Sequence, residues 1–316
     1  MIGHVLTANA PAKVNLHLEL LARRDDGFHD IETVIATVGL CDTVSLTTGS
    51  LTTGSSPTGN EQASSANRQI QILFDPHSGF DQEVPADHRN LAVQALQKFR
   101  ERAGIEQPAR IELVKRIPSQ AGLGGASSDA ATVLRLANRL WQVQWPHSRL
   151  VEIAAELGSD VPFFLGNSCS LCEGRGEKVS KIPNRLRPWL VLVKPPIGFP
   201  TGQVYSLAEV PAVPTGSTAL RSALAGGSLA ALGRSLFNRL ESAAGRFNEW
   251  VDRLKFEYSR LGCCGHQLTG SGSTYFGIFN NRLTAKRSAR VLESRLTSCR
   301  VFCHQLLPFQ STRQSP

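Results

Sequence analysis

The chain has 316 residues, enough for two domains whose cores need no disulfide or metal for stability. Hydrophobic residues make up 41% and charged residues 19%, an ordinary composition for a globular enzyme, which excludes a disordered or fibrous chain. No apolar run approaches the ~20 residues of a membrane span, and no secretory signal precedes the first strand pattern. We therefore expect a cytoplasmic protein without a membrane partner.

The net charge of +8 favours an anionic ligand such as a nucleotide. A basic chain can also bind nucleic acid, but dense Lys/Arg clusters interleaved with aromatic residues are absent from the sequence. Much of the excess charge is scattered after Arg234. The sequence therefore predicts no nucleic-acid partner.

Seven cysteines, an odd number, favour free thiols in such a chain. Cys169 and Cys172 have the spacing of a zinc knuckle, and Cys299 and Cys303 form a second close pair near His304. A zinc site is one interpretation of these pairs. Because the first pair lies in an apolar, strand-like stretch, buried thiols packing as small hydrophobic groups are the favoured interpretation.

In the first half of the chain, alternating apolar residues predict strands at Thr7–Leu21, His29–Val38, Asp42–Thr47, Gln69–Phe74 and Arg110–Ile117. Helical periodicity predicts helices at Leu91–Ala103, from Ala130 onward, and at Arg149–Leu157. Asn90 is a good N-cap for the first helix, and Gly104 ends it. The Thr-, Ser- and Gly-rich segment Thr47–Asn67 is interpreted as a mobile hairpin tip.

In the second half, predicted strands lie at Trp189–Val193, His266–Leu268, Ser273–Phe279 and Arg300–His304. Predicted helices lie at Ser228–Leu240, Phe247–Leu261 and Leu283–Leu296, and the residues from Gln310 to Pro316 look frayed. This mixture of strands and helices predicts an α+β sandwich. We place a domain boundary near Asn167, which gives domains of residues 1–167 and 168–316.

The most informative stretch, residues 118–134, reads PSQAGLGGASSDAATVL. It follows a strand pattern, contains Gly122, Gly124 and Gly125, and precedes a helix pattern. Glycines let the backbone approach a ligand closely, and the unpaired N–H groups of a helix N-terminus favour an anion. The string is neither a P-loop nor a dinucleotide fingerprint, so a polyphosphate site and a plain turn capped by Ser127 or Ser128 are the two interpretations.

This string resembles the second motif of the GHMP kinase superfamily. Three further stretches agree in order and spacing: PAKVNLHL with DDGFHDIETV near the start, LGSDVPFFLGNSCSLCEGRGE in the middle, and QLTGSGSTYFGIF near the end. Together they are most similar to the 4-diphosphocytidyl-2-C-methyl-D-erythritol kinase branch, over about residues 10 to 279. The resemblance implies a two-domain GHMP kinase fold, with a ribosomal-protein-S5-like N-terminal domain and a ferredoxin-like C-terminal domain.

The activity that the resemblance implies is ATP- and Mg²⁺-dependent phosphorylation of the 2-hydroxyl of a cytidine-diphosphate-linked sugar alcohol. The residues that would hold ATP are Pro118, Ser119, Gln120, Ala121, Gly122, Leu123, Gly124, Gly125, Ala126, Ser127, Ser128, Asn90 and Lys115. Either Ser127 or Ser128 would offer an oxygen to Mg²⁺, which prefers hard oxygen ligands. A carboxylate beside phosphates would repel them, which argues against Asp129 pointing into the loop.

Asp160 and Lys13 are the expected catalytic residues. Asp160 matches the carboxylate of the family's L-G-x-D-V-P motif, which takes the proton of the acceptor hydroxyl. Lys13 would keep that carboxylate ionised and stabilise the developing alkoxide. The structural alternatives are a turn aspartate beside glycine or proline and an edge-strand lysine.

The expected substrate-binding residues come from three motifs: Asn15, Phe28, His29, Thr201, Tyr205, Gly270, Ser271 and Gly272. By resemblance, Phe28 and Tyr205 would stack on a cytosine, His29 would read its edge, and Asn15 would bind a substrate hydroxyl. Arg175 is a secondary candidate. The alternatives are core packing for each aromatic residue and an ordinary β-turn for the last motif.

Two other functions stay open on the sequence alone. One is a GHMP kinase for another small alcohol, of the mevalonate or homoserine type, and the other is a non-catalytic nucleic-acid-binding protein. The sequence leaves the oligomeric state undecided.

Overall fold

A computed structural model describes residues 4–48, 70–75, 84–166 and 168–307. Its strands are β1 Val5–Arg23, β2 His29–Thr48, β3 Ile70–Phe74, β4 Ala109–Lys115, β5 Cys169–Gly174, β6 Lys178–Lys181, β7 Trp189–Lys194, β8 Phe237–Asn238, β9 Gly265–Leu268, β10 Tyr275–Phe279 and β11 Arg300–Gln305. Its helices are α1 Leu91–Ala103, α2 Gly125–Leu140, α3 His147–Leu157, α4 Thr201–Leu207, α5 Thr218–Gly226, α6 Leu229–Arg234, α7 Leu240–Phe247, α8 Trp250–Ser259 and α9 Arg282–Arg295, with a short 3-10 helix at Pro162–Leu165.

The chain forms two compact units that are discontinuous in sequence. The first, here called the α2 unit, comprises Met1–Ala10, Cys41–Ile117 and Gly125–Leu165. The second, the β10 unit, comprises Pro11–Leu40, Pro118–Gly124 and Gly166–Pro316. Strands β1 and β2 contribute residues to both. The predicted division at residue 167 stays a prediction, and the predicted hairpin tip beyond Thr48 and the frayed C-terminus lie outside the described residues.

In the α2 unit, β4 pairs with the end of β2 in antiparallel register, Thr43 opposite Val114, and with β3 in parallel. The burial of β4 alternates, so that Ile111, Leu113 and Lys115 share the buried face. Helix α1 packs against α2, and the fully buried Phe99 contacts the rings of Trp141 and Trp145. The strand period therefore places a lysine, Lys115, in the interior.

The β10 unit contains an antiparallel sheet of order β11-β7-β10-β9. Helices α8 and α9 pack on it, and the buried Tyr258 of α8 donates its hydroxyl to the carbonyl of Val191 at 2.9 Å. In the same unit, β5 pairs with residues 31–36 of β2 and with β6, and β8 lies parallel to β1. The strands and helices confirm the predicted α+β class.

Several predicted elements are confirmed, and helix α1 is the clearest. Asn90 caps it by accepting a hydrogen bond from the N–H of Ala92 at 3.0 Å, and Gly104 ends it in the left-handed conformation at φ 63°. Strand β7 and strand β11 each extend one residue beyond the predicted range.

Other predicted elements were wrong in extent. Strands His29–Val38 and Asp42–Thr47 are one continuous strand, and α2 begins at Gly125, five positions before Ala130. The predicted helix Ser228–Leu240 breaks into α6, β8 and α7 because Phe237 and Asn238 pair with β1. Helix α8 is shorter than Phe247–Leu261, and helices α4 and α5 were not predicted.

The cysteines and the helices bear on two further expectations. The seven cysteines, all among the described residues, form no disulfide, and Cys169 and Cys172 are buried in β5, as expected for small hydrophobic groups. Burial raises the pKa of Cys169 to about 12, which keeps it protonated. Within the described ranges, no helix is both long and apolar enough to cross a bilayer.

Candidate active site

The glycine loop joins β4 to α2 with three residues in the left-handed region: Gln120, Gly122 and Gly124 have φ values of 49°, 72° and 70°. A Cβ placed on Gly122 would lie 2.3 Å from the carbonyl oxygen of Thr269. Only glycine tolerates both this φ and this approach. The loop is therefore held against the turn that follows β9, within the β10 unit.

A buried polar network lies beside this contact on β1. Lys13 donates to the side-chain oxygen of Asn15 at 2.6 Å, and the amide of Asn15 donates to the hydroxyl of Thr33 at 2.9 Å. The backbone N–H of Asn15 donates to the hydroxyl of Thr269 at 3.0 Å. The backbone N–H of Lys13 donates to the carbonyl of Leu123 in the glycine loop at 2.9 Å. The structure thus joins the first motif, the glycine loop and the last motif.

The turn at Gly270–Gly272 completes this region. A Cβ on Gly270 would lie 3.3 Å from the side-chain oxygen of Asn15 and 3.4 Å from the ammonium of Lys13. Ser271 shares a hydrogen bond of 3.1 Å with the hydroxyl of Thr201, the first residue of α4. Gly272 has φ 89° and faces the ring of Phe199. Predicted substrate residues from β1, α4 and the last motif therefore lie close together.

The predicted aromatic residues lie near one another in pairs. The rings of His29 and Tyr205 have centroids 5.5 Å apart at an angle of 41°. Phe28 is 51% exposed, and the guanidinium of Arg175 lies 5.0 Å from its centroid. Burial and, to a lesser degree, Arg23 lower the pKa of His29, so its imidazole is neutral at neutral pH. A neutral imidazole offers one donor and one acceptor, as reading the edge of a base requires.

In the α2 unit, the predicted serines occupy the first turn of α2. The hydroxyl of Ser128 is buried and has no hydrogen-bond partner within the described part of the chain, whereas Ser127 is half-buried. Among the described residues, no cluster of three His, Cys, Asp or Glu side chains could hold a metal. Serine hydroxyls fit Mg²⁺ as hard oxygen ligands, but the ion would take its other ligands from phosphate and water.

Below this turn lies a buried ion cluster. The ammonium of Lys115 donates to the carboxylate of Asp129 at 2.6 Å and to that of Asp42. Burial raises the pKa of Asp129, more than Lys115 lowers it. Burial alone would lower the pKa of Lys115, but Asp129 and Asp42 raise it overall. The carboxylate of Asp129 is thus bonded to Lys115, and the predicted nucleotide role of Lys115 stays a prediction.

The remaining predicted residues have clear local positions. Asn90 uses both groups of its amide, accepting from Ala92 and donating to the carbonyl of Pro85 at 2.7 Å. Asp160 is half-buried in the turn between α3 and the 3-10 helix, after Gly158 has closed α3. Lys13 belongs to the β10 unit and Asp160 to the α2 unit, and their predicted pairing stays a prediction.

Sequence reasoning missed the residues that hold the predicted ones in place. Thr33 and Thr269 lie within the quoted motifs without a predicted role of their own, yet their hydroxyls fix Asn15. Asn238 donates to the carbonyls of Leu268 and Gly270, both at 2.9 Å, and so shapes the last turn. The predicted turn between β1 and β2 places the two strands side by side, and this could have indicated that Thr33 of β2 lies near Asn15 of β1. No local signal indicates Asn238, which lies 30 residues from Leu268 in sequence.

Comparison with known proteins bears directly on this arrangement. Residues 90–167 match the model of the GHMP kinases N-terminal domain, and residues 220–297 match that of the GHMP kinases C-terminal domain. The 4-diphosphocytidyl-2-C-methyl-D-erythritol kinase of Heliobacterium modesticaldum is 33% identical, with 90% of each chain covered. That of Bacillus licheniformis is 36% identical, with 85% of this chain and 86% of the relative covered. The chain belongs to the 4-diphosphocytidyl-2-C-methyl-D-erythritol kinase family of GHMP kinases.

Solved structures agree with this assignment. A crystal structure of 4-(cytidine 5'-diphospho)-2C-methyl-D-erythritol kinase is 30% identical, with a TM-score of 0.75, 96% of this chain covered and 100% of the other. The homoserine kinase of Cytophaga hutchinsonii is 18% identical with a TM-score of 0.70, covering 96% of this chain and 95% of its own, and shares the fold. The two-domain GHMP kinase fold expected from the sequence is confirmed.

Proposed function

We propose that this kinase transfers the γ-phosphoryl group of ATP to the 2-hydroxyl of 4-diphosphocytidyl-2-C-methyl-D-erythritol. The observation that carries the proposal is the network in which Lys13, Asn15 and Thr269 meet the glycine loop at Gly122. Phosphoryl transfer requires that a held polyphosphate and a positioned hydroxyl come together, and little covalent chemistry from the protein. A cation and an amide beside a phosphate-type loop meet that requirement.

The glycine loop and the first turn of α2 would hold ATP. Positive φ values at Gln120, Gly122 and Gly124 give the loop the sharp turns by which successive N–H groups can surround an anion. Helix α2 is 16 residues long, so its N-terminus adds a favourable dipole. The hydroxyl of Ser128, which has no hydrogen-bond partner among the described residues, and the half-buried Ser127 are the candidates for Mg²⁺, which would neutralise phosphate charge when bound.

The acceptor would lie on the other side of the same network. Asn15 is held at its backbone N–H, its amide oxygen and its amide nitrogen, so it is fixed for contact with a substrate hydroxyl. Gly270 brings the last turn against the Lys13 ammonium without a side chain in the way. The ammonium of Lys13 would then stabilise the alkoxide that develops as the hydroxyl attacks.

The cytosine of the acceptor would bind at the aromatic residues. The exposed face of Phe28 and the ring of Tyr205 are the proposed stacking surfaces, each worth roughly 1–3 kcal/mol. The neutral His29, next to Tyr205, would hydrogen-bond to the edge of the base. Arg175 lies over Phe28 and adds positive charge for the diphosphate. This aromatic group accounts for a cytidylyl substrate rather than a small alcohol alone.

The test of this function is ADP release measured with a panel of acceptors. We expect release that depends on the cytidylyl substrate, and none above background with mevalonate or homoserine. Cytidine diphosphate should compete with the acceptor. Turnover with mevalonate or homoserine, unaffected by cytidine diphosphate, would contradict the proposed substrate.

Asp160→Asn tests the proposed general base. The change removes the proton acceptor while keeping the side-chain shape, so turnover should fall by about two to four orders of magnitude. ATP affinity should stay within about twofold, measured by calorimetry without acceptor. Full turnover by this variant would show that Asp160 is a turn residue only.

A further inference from the structure

Asp42, Lys115 and Asp129 form a buried ion cluster in the described part of the α2 unit, and of the three only Lys115 has a predicted role in ATP binding. Asp42 is 0% exposed, and Lys115 and Asp129 are each 3% exposed. Lys115 bridges the two carboxylates, with the ammonium 2.6 Å from Asp129. Three ionisable side chains have therefore been removed from water within one small volume of the α2 unit.

The cluster holds both ends of the glycine loop. On the β4 side, one carboxylate oxygen of Asp42 accepts from the backbone N–H groups of Arg116 and, at 2.8 Å, of Ile117, just before Pro118. On the α2 side, a Cβ on Gly125 would lie 3.6 Å from Asp42 and 3.0 Å from the side chain of Ile117. Asp129 is the fifth residue of α2, and it accepts a hydrogen bond from Lys115, which is the last residue of β4.

We infer that Asp42, Lys115 and Asp129 are positioning residues that fix the glycine loop in its nucleotide-binding conformation. They act through backbone N–H groups and the first turns of α2. The inference rests on the proposed function, because it assumes that this loop holds the triphosphate.

The energetics favour a positioning role over simple stabilisation. A buried ion group has a large desolvation cost for each charge, and well-packed apolar side chains would stabilise an interior at least as well. What charged groups add is directional bonding. Asp42 has one oxygen for two loop N–H groups and the other for Lys115, an arrangement that an apolar trio cannot supply.

Two substitutions at Asp129 distinguish the effect of losing its bond to Lys115 from a general loss of folding. Asp129→Asn keeps an oxygen that can accept from Lys115, whereas Asp129→Ala removes the link between β4 and α2. We expect Asp129→Ala to weaken ATP binding about tenfold or more, and Asp129→Asn to stay within about threefold of wild type. Cytidine diphosphate, which probes the acceptor site, should bind both variants within about twofold of wild type.

The matched control is Glu156→Gln, which removes another carboxylate from the same unit. Glu156 bonds Lys98 at 2.8 Å and Arg102 at 2.7 Å on exposed helix surfaces. Its loss should leave the affinities for ATP and for cytidine diphosphate unchanged. Binding is measured by calorimetry, on proteins whose thermal unfolding shows them folded at the assay temperature.

The outcomes distinguish the inference from the function on which it rests. Equal ATP affinity in wild type and Asp129→Ala, or an equal loss for ATP and cytidine diphosphate, would overturn the positioning role while wild-type turnover upheld the kinase. A wild-type chain that binds no ATP would overturn both. If Asp129→Ala does not fold, Asp129→Glu, which shifts the carboxylate by one methylene, must weaken ATP binding by about threefold or more and spare cytidine diphosphate.

Discussion

Lys13 and Lys115, two of the buried lysines on the described strands, are 4% and 3% exposed. Lys115 donates to two carboxylates, Asp42 and Asp129, at the base of the glycine loop. Lys13 donates to the amide oxygen of Asn15 and lies against Gly270, in a network of amides and hydroxyls. The two lysines are therefore buried to a similar extent, but the groups described around their ammonium ions differ.

The different surroundings of Lys115 and Lys13 indicate different functions. A lysine between two buried carboxylates has its charge consumed inside the protein and serves to hold backbone in place. Lys13 lies beside the glycine loop and the Gly270 turn, where its ammonium is proposed to stabilise the attacking hydroxyl. Substitutions that remove one of these roles at a time test the comparison.

The largest expected effect belongs to Lys13→Met. Methionine fills similar volume but removes the ammonium, so turnover should fall on the order of a hundred- to a thousandfold. ATP affinity should change little, because the glycine loop supplies the nucleotide contacts. Steady-state kinetics with calorimetry for ATP check this. A variant that loses stability but keeps wild-type turnover when folded would give Lys13 a structural role and no catalytic one.

Lys115→Met should lower stability in addition to loosening the glycine loop that Lys115 is inferred to position. It leaves two buried carboxylates without their cation, which costs about 3–5 kcal/mol in free energy of unfolding. Chemical denaturation measures the loss, with Lys98→Met as control, because the exposed Lys98–Glu156 pair contributes at most about 1 kcal/mol. Equal losses in the two variants would contradict the buried, bridging position of Lys115.

Gly122→Ala tests whether the loop is as tightly held as the comparison requires. The new Cβ would meet the Thr269 carbonyl at 2.3 Å with φ at 72°, so we expect at least about 2 kcal/mol of destabilisation and a loss of ATP affinity. Gly104→Ala is the matched control: its φ is 63°, but nothing lies within 4 Å. The control should lose about 1 kcal/mol and no ATP affinity. Similar results for both would refute the close approach of Gly122.

Glu19→Gln should have the smallest effect on stability, and that effect should depend on pH. Burial would raise the pKa of Glu19, but hydrogen bonds from Arg239 and from the N–H of Thr215 and Leu20 lower it overall. A lowered pKa means that the ionised form stabilises the fold above the ordinary value of 4.5, and that this stability disappears as the pH falls through the lowered pKa.

The measurement for Glu19 is the free energy of unfolding of wild type and variant, by chemical denaturation at neutral and acidic pH. The wild type should be more stable by about 1–3 kcal/mol at neutral pH, and the difference should shrink below about pH 4.5. Glu209→Gln, at an 89% exposed carboxylate near Arg246, should show no such trend. A difference that grows on acidification would contradict the sign.

Much of the fold and site could be predicted because their signals are local. The cap at Asn90, the stop at Gly104 and the glycine loop each depend on a few neighbouring residues. The break in the predicted helix at Ser228–Leu240 depends on pairing of Phe237 with His17, which no local pattern reveals. Likewise, Asp42 reads as a strand residue, and only the fold brings it to Lys115, 73 residues away.

The account depends most on the transfer of a phosphoryl group from ATP to the cytidylyl substrate. Phosphorus NMR of the purified wild-type reaction observes this transfer directly. We predict a new phosphomonoester resonance on the acceptor, formed in step with ADP, while the acceptor's diphosphate stays intact. ADP accompanied only by inorganic phosphate, or no new resonance at all, would contradict the account.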